Sequence, residues 1–341
     1  MHIKSQIFTE IDYTQDGKQM GQLEVPISTN SAGWANLFLP ICVVKNGEGP
    51  TALIFGGNHG DEYEGPVTLM NLARWLDPAQ VQGRVILVPM LNRPGVAAGT
   101  RLSSIDGRNM NRSYYTQYSE VQVNESITTM IAHYATQALI PLADLVIDIH
   151  SGGRSMHFLP SVNMHDVPDR NQMRAMVDAG LAWQAPYVYI YKDIAGEGLL
   201  PSYCERLGKV TLGTELGGAS QFGVETLGIA ERGVKNVLRQ AKILVDRPLS
   251  APAQPAQVVI ADRREDYVMA PASGIYEPFL ELGDAVEVGQ PLGQIHSIDH
   301  AFAAPVPVLA RTSGMLFVRR SFPLTQQGEC VAVTVRPYSL G

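Results

Sequence analysis

The sequence predicts an α/β fold, a mixed sheet with helices on both faces, followed by a smaller all-β domain at the C-terminus. Three observations carry this. From residue 53 to residue 244, short apolar runs suited to buried strands alternate with segments of helical rhythm. A Pro/Ala stretch, Arg247 to Gln257, then breaks the pattern. Beyond Val258 helical periodicity disappears, and short β-rich runs are split by Gly, Pro and Asp. At 341 residues two domains are expected, and the composition shift places them at 1–246 and 258–341.

Residues 1 to 50 carry alternating runs, Gln22 to Ile27 and Asn36 to Val44, that read as strands and hairpins leading into the sheet. The stretch LIFGGNHGDEYEGPVTLMNLARWL, from Leu53 to Leu76, opens as a buried strand and breaks at a Gly-Gly pair. It then continues into a helix with Pro66 in its first turn and Val67, Met70 and Leu76 on or near one face. A second buried strand, Gly83 to Pro89, runs into a long loop, MLNRPGVAAGTRLSSIDGRNMNRSYY, too polar and Gly-rich for regular structure. A loop of that length inside a compact domain is usually functional. A helix follows, with Ile127, Met130, Ile131, Tyr134, Ala138 and Leu139 in i, i+3, i+4 rhythm. Next come the strand Asp144 to His150, helices over 170–184 and 199–207, the strand Lys209 to Glu215, and a last helix from about Glu225 to Leu244.

Composition excludes several classes of function. The net charge of −7, without any Lys/Arg-rich run, argues against nucleic acid as a partner. No apolar run approaches the ~20 residues of a membrane helix, so no membrane partner is expected. The polar start, MHIKSQIFTEIDYTQDGKQ, lacks the basic and apolar regions of a signal peptide. Cys42, Cys204 and Cys330 are too far apart for a C-x-x-C pair or a disulfide framework. The expectation is a cytoplasmic protein, and a homo-oligomer is usual for enzymes of this size.

The ends of three predicted strands carry His59 with Glu62, His150, and Glu215. In open α/β sheets ligands bind beyond the carboxyl ends of the strands, so these side chains could meet in one crevice. Two imidazoles and a carboxylate around an open fourth position form the donor set of a catalytic zinc site. Such a site needs a separate carboxylate to move protons, and Glu215, followed by Leu-Gly-Gly, is the candidate. Asp148, two residues before His150, would orient a ligand or anchor an Arg. Arg101, Arg108 and Arg112 cluster in the loop with Asn109 and Asn111 between them. Arg forks a carboxylate bidentately and also stabilises an oxyanion.

These residues resemble the succinylglutamate desuccinylase/aspartoacylase family of the zinc-carboxypeptidase-like fold. The resemblance rests on GGNHGDEYEG, the loop ending in DGRNMNR, DLVIDIH with Ser-Gly-Gly, and TELGG, in the family's order. It implies one zinc per chain held by His59, Glu62 and His150, with Glu215 as base and proton shuttle. It implies Asn111 and Arg112 on the substrate's α-carboxylate and Arg101 at the oxyanion, with Arg108 as the competing choice. The reaction implied is hydrolysis of a small N-acyl amino acid. Within the family the pattern is most similar to the members that deacetylate N-acetyl-L-2,4-diaminobutyrate in ectoine breakdown. Other N-acyl amino acids, carboxypeptidase action on peptides, and a catalytically silent metal-binding protein are the alternatives.

A substrate with a second amine would want an acid near the pocket, Glu197 or Asp193, and Tyr187, Tyr189 and Tyr191 could line its rim. The C-terminal domain resembles a biotinyl/lipoyl-type barrel. It has no lysine after Lys242, which excludes covalent carriage and leaves shielding of the crevice or assembly as its expected role.

Overall fold

The computed structural model describes residues 5–115, 125–192 and 198–339. The first half of the sheet is built from β1 (Gly17–Thr29), β2 (Ala32–Asn46), β3 (Thr51–Gly56), β4 (Gly83–Val88) and β5 (Leu145–Ile149). After the short β6 (Met156–Phe158) come β7 (Ser161–His165), β8 (Tyr187–Tyr191) and β9 (Val210–Glu215). The order across the sheet is β1-β2-β4-β3-β5-β9-β7-β8. Strands β4, β3, β5 and β9 are parallel, so Gly56, Ile149 and Glu215 end at one edge. Antiparallel β7 faces β9 with Asn163 opposite Gly213.

The helices are α1 (Glu64–Trp75), α2 (Arg93–Ala98), α3 (Ile127–Tyr134), α4 (Arg170–Trp183), α5 (Leu200–Arg206) and α6 (Val224–Gln240). One face of the sheet packs Ile54, Val85, Ile147 and Leu212 against α1, α4 and α6. The other packs Leu53, Phe55, Ile86 and Val146 against α3 and α5. Apolar side chains at both alternations of each central strand explain why these strands read as continuous hydrophobic runs.

The helices over 127–134, 170–183, 200–206 and 224–240 fall within the segments expected from periodicity. Helix α1 is turned from the expected face: Thr68, Leu69, Leu72 and Ala73 are buried together with Leu76, while Val67 and Met70 are half-buried. The segment 90–115 is also more regular than expected. Helix α2 and a 3₁₀ turn at Met110–Arg112 lie within it. The signals for α2 are present in the sequence. Asn92 caps Gly95 N at 3.2 Å, Pro94 sits in the first turn, and Gly99 closes the helix at φ +64°.

Beyond the Pro/Ala stretch, β10 (Gln257–Ala261) extends the same sheet, parallel to β8. There follow β11 (Tyr267–Met269), β12 (Gly274–Pro278), β13 (Ala285–Val286), β14 (Pro291–His296), β15 (Val306–Leu309), β16 (Gly314–Arg320), β17 (Leu324–Thr325) and β18 (Cys330–Pro337). Strand β18 pairs with β10 and leads on to β16 and β13, while β15-β14-β12-β17 form a separate four-stranded sheet. Tyr276, Leu292, Ile295, Val308 and Leu316 pack into the core of this C-terminal unit. The unit is tied to the first by hydrogen bonds, since β16 also pairs with β6, just beyond His150.

Between β3 and α1 the chain passes so close to α2 that a Cβ on Gly60 would lie 1.9 Å from the Gly95 carbonyl carbon. Gly60→Ala should therefore destabilise the protein by about 1–3 kcal/mol, the cost of overpacking against backbone that cannot swing away. Thermal melting of the variant beside the wild type checks this.

Candidate active site

His59 and Glu62 lie on the turn that leaves β3, and His150 on the residue after β5, so adjacent parallel strands deliver them to one point. His59 Nδ1 is 2.8 Å from Glu62 Oε1, and His150 Nδ1 is 2.7 Å from Glu62 Oε2. All three residues are buried, and their ligand atoms lie within 4.8 Å of one another. Across the strands, Thr214 Oγ1 accepts from His150 N and donates to His150 O, both at 2.9 Å. Asp61 Oδ2 accepts from Arg154 N, and Ser151 N donates to Glu62 Oε2, fixing the two loops to each other.

The donor set fits a cation. Burial, partly offset by Glu62, lowers the His59 imidazole to about 4, so it is neutral at pH 7. Its Nδ1 also lies 3.2 Å from Arg101 Nη1, which can only donate. A proton on Nδ1 would meet that donor head-on, whereas a lone pair there faces the Glu62 oxygen, acceptor to acceptor. A positive ion between them resolves the conflict. Arg101, 3.4 Å from Glu62 Oε1, brings positive charge to the same place.

The second imidazole is held from behind. His150 Nε2 is 2.7 Å from Asp148 Oδ2, which also accepts from Asn58 Nδ2 at 2.7 Å. That contact fixes Nε2 as the donor and directs Nδ1 at Glu62. Burial works against protonation of His150, but Asp148 and Glu62 outweigh it and raise its proton affinity well above the ordinary value. Burial likewise works against ionised Glu62, yet the two imidazoles hold its carboxyl below the usual range.

Glu215 closes β9 on the same cavity. Burial first, and then the negative charge of Glu62, push its carboxyl up to about 8. Its Oε2 is buried with no partner. The cavity, about 160 Å³, is lined by His59, Arg101, Asn111, Arg112, Asp148, His150, Asn163, Tyr191, Leu199, Pro201, Gly213 and Glu215.

The structure thus brings together His59, Glu62, His150, Glu215, Arg101, Asn111 and Arg112, but not Arg108, whose guanidinium stands 3.8 Å from Glu125 and does not line the cavity. Asn111 is held by its Oδ1, which accepts from Leu200 N at 2.9 Å. Of the three tyrosines only Tyr191 reaches the cavity. Tyr189 is buried with its hydroxyl 3.2 Å from that of Tyr267, and Tyr187 packs on Phe317. Asp193 and Glu197 lie outside the described residues. Asn163 and Gly213 were not anticipated. The sequence offered little signal, since Asn163 sits in the short mixed run SVNMH beside two other polar residues, Ser161 and His165.

Fold and site together define an amidohydrolase. Comparison with known proteins makes the assignment particular. The profile of the succinylglutamate desuccinylase/aspartoacylase catalytic domain matches residues 48–241. The N-alpha-acetyl-L-2,4-diaminobutyric acid deacetylase of Halomonas elongata is 39% identical over 329 residues, 96% of this chain and 94% of that protein. The crystal structure of a succinylglutamate desuccinylase/aspartoacylase from Rhodobacter sphaeroides is similar with a TM-score of 0.91 and 36% identity, covering 98% of this chain and all of that one. The product-bound ectoine utilization protein EutE from Ruegeria pomeroyi is similar with the same TM-score, 35% identity and the same coverage. The chain belongs to the succinylglutamate desuccinylase/aspartoacylase family.

The raised proton affinity of Glu215 has a consequence for stability. Between its ordinary value of 4.5 and about 8, the folded metal-free chain keeps a proton that the unfolded chain has lost. Stability of the metal-free protein therefore falls as pH rises through that window. Glu215→Gln, which cannot ionise, should gain on the wild type by ~2–4 kcal/mol between pH 5 and pH 9. Denaturant unfolding of both metal-free proteins at the two pH values checks this.

Proposed function

We propose that this chain is a zinc-dependent deacetylase that hydrolyses N-α-acetyl-L-2,4-diaminobutyrate to acetate and L-2,4-diaminobutyrate. The observation that carries the proposal is near full-length similarity to a deacetylase of that name, with His59, Glu62, His150 and Glu215 gathered on one cavity. A cavity of about 160 Å³ is below the ~300–1,000 Å³ of drug-sized ligand sites, which favours a small N-acyl amino acid over a peptide.

In this reading His59 and His150, each through Nδ1, and the Glu62 carboxylate hold the zinc. The bound ion supplies Lewis acidity toward the amide carbonyl and lowers the pKa of a water. Glu215 would serve as the base toward the attacking water and as the proton donor to the leaving nitrogen, a role suited to a carboxyl with raised proton affinity. Arg101, beside His59 and reaching into the cavity, donates to the oxygen on which charge develops. Arg112 and Asn111, at the neighbouring wall, take the α-carboxylate. We further propose that the C-terminal unit, tied through β16 and β6 to the segment after His150, shields the crevice from larger molecules.

Acetate release from N-α-acetyl-L-2,4-diaminobutyrate by the zinc-loaded protein tests the reading, and absence of turnover would refute it. His59→Ala and His150→Ala should lose the metal, measured by elemental analysis. Glu215→Gln should keep it and lose about 10²–10⁴-fold in kcat. Arg101→Met should lower kcat by ~10²–10³-fold. Arg112→Met should act mainly on KM, and Arg108→Met should leave both near wild type. Steady-state kinetics of the three arginine variants separates their roles.

A further inference from the structure

The active-site cavity has a larger neighbour. A groove of about 500 Å³ lies beside it, with His165, Asp166, Gln172, Ser202 and Glu205 in its lining. Three elements contribute to both spaces. Strand β7 gives Asn163 to the cavity and His165, two residues on and so on the same strand face, to the groove. Helix α5 gives Pro201 to the cavity and Ser202 to the groove, and β8 gives Tyr191 to both. The two spaces therefore lie side by side. Among the described residues, Tyr191 is the one that lines both.

The Tyr191 ring is held where it stands. His165 lies opposite Tyr191 in the β7–β8 register, and the two ring centroids are 4.4 Å apart. Tyr189, on the same strand face, stacks on it at 5.4 Å with 18° between the planes. His165 is fixed in turn by Glu205 of α5. Its Nδ1 is 2.6 Å from Oε2, and its backbone N–H donates to Oε1 at 3.4 Å. Packed on two neighbours, the ring has few other rotamers open to it. In the proposed reaction Asn111 and Arg112 take the α-carboxylate, and Asn111 Oδ1 also accepts from Leu200 N, at the start of α5. That places the substrate's α-carbon beside Leu199 and Pro201, so its side chain is the arm directed at Tyr191. The acyl group lies across the amide, toward the metal ligands.

We propose that Tyr191 is a partition that sets the length of substrate side chain the enzyme accepts. A side chain as short as that of diaminobutyrate ends against the ring, and a longer one needs the space beyond it. This rests on the deacetylase reading above. It makes Tyr191 a specificity-determining residue, and His165 and Glu205 positioning residues that act through it. Removing the ring would join the cavity of about 160 Å³ to the groove of about 500 Å³ and admit N-α-acetyl-L-lysine, two methylenes longer.

The test compares kcat/KM for N-α-acetyl-L-2,4-diaminobutyrate with that for N-α-acetyl-L-lysine in zinc-loaded protein. The wild type should prefer the shorter substrate by at least about 100-fold, since each methylene that does not fit is worth about tenfold or more. Tyr191→Ala should bring the ratio to within about tenfold with zinc content retained, whereas Tyr191→Phe, which keeps the ring, should hold it. Tyr191→Leu, smaller than the ring but still apolar, should lower the ratio at least about tenfold and decides the matter if Tyr191→Ala fails to fold. His165→Ala should lower it about three- to tenfold, and the double variant with Tyr191→Ala should match Tyr191→Ala alone, as expected when one residue acts through the other. An unchanged ratio in folded, zinc-containing Tyr191→Ala would overturn the proposal. So would relaxation toward N-α-butyryl-L-2,4-diaminobutyrate, which would show the ring facing the acyl group, and so would a wild type that takes both side-chain lengths equally. If the wild type turns over no N-acyl amino acid, the deacetylase reading fails, and calorimetry of L-lysine against L-2,4-diaminobutyrate judges the partition. Tighter lysine binding by Tyr191→Ala than by the wild type then supports it, and unchanged binding overturns it.

Discussion

The site is organised by a conflict among acceptors. His59 Nδ1 and His150 Nδ1 each lie within hydrogen-bonding distance of a Glu62 oxygen, and the whole set is packed out of water within 4.8 Å. Burial keeps His59 neutral with a single ring proton, and Asp148 and Glu62 draw a further proton to His150. Such an arrangement favours positive charge at its centre, and Arg101 Nη1 comes within 3.2 Å of His59 Nδ1 there. A divalent ion would meet the same demand with three bonds at once.

Parallel strands do most of that work. Because β3, β5 and β9 run the same way, their ends present His59, His150 and Glu215 on one edge without any strand needing to bend. The loops are then locked by backbone contact. Gly60 lies against Gly95, and Thr214 bonds both backbone groups of His150. The C-terminal unit adds a further restraint, since β16 pairs with β6 and Ser321 Oγ donates to Arg154 O, a few residues beyond the second histidine. Displacement of that unit would be felt at His150 through the chain itself.

How much of this was legible follows from the same physics. The sheet, its helices and the convergence of His59, Glu62, His150 and Glu215 could be read because strand ends follow from hydrophobic periodicity and lie together by topology. Arg101 could not be separated from Arg108, since the choice depends on how residues 90–115 fold, and α2 is too short to show a period. Once α2 and the 3₁₀ turn are placed, Arg101 reaches the cavity while Arg108 stands beside Glu125. The row formed by Asp148, Gly213 and Asn163 at the cavity was invisible for another reason. It depends on cross-strand register between segments far apart in the chain, and one sequence gives strand positions without their pairing.

Two carboxylates face this cavity, Asp148 buried and Glu215 half-buried, and their surroundings divide the labour. Asp148 has one oxygen bonded to Asn58 and His150, which ties it to the second imidazole, while its other oxygen has no partner. Glu215 has an oxygen buried without any donor and the negative Glu62 nearby, so its carboxyl binds a proton readily. Groups that hold a proton near neutral pH are the ones able to pass it between a water and a leaving nitrogen. Exchanging the two environments would exchange the roles, even though both side chains end in the same chemistry. The division is set by position: Asp148 stands behind His150 and is bonded to it, whereas Glu215 ends β9 on the cavity with Glu62 nearby.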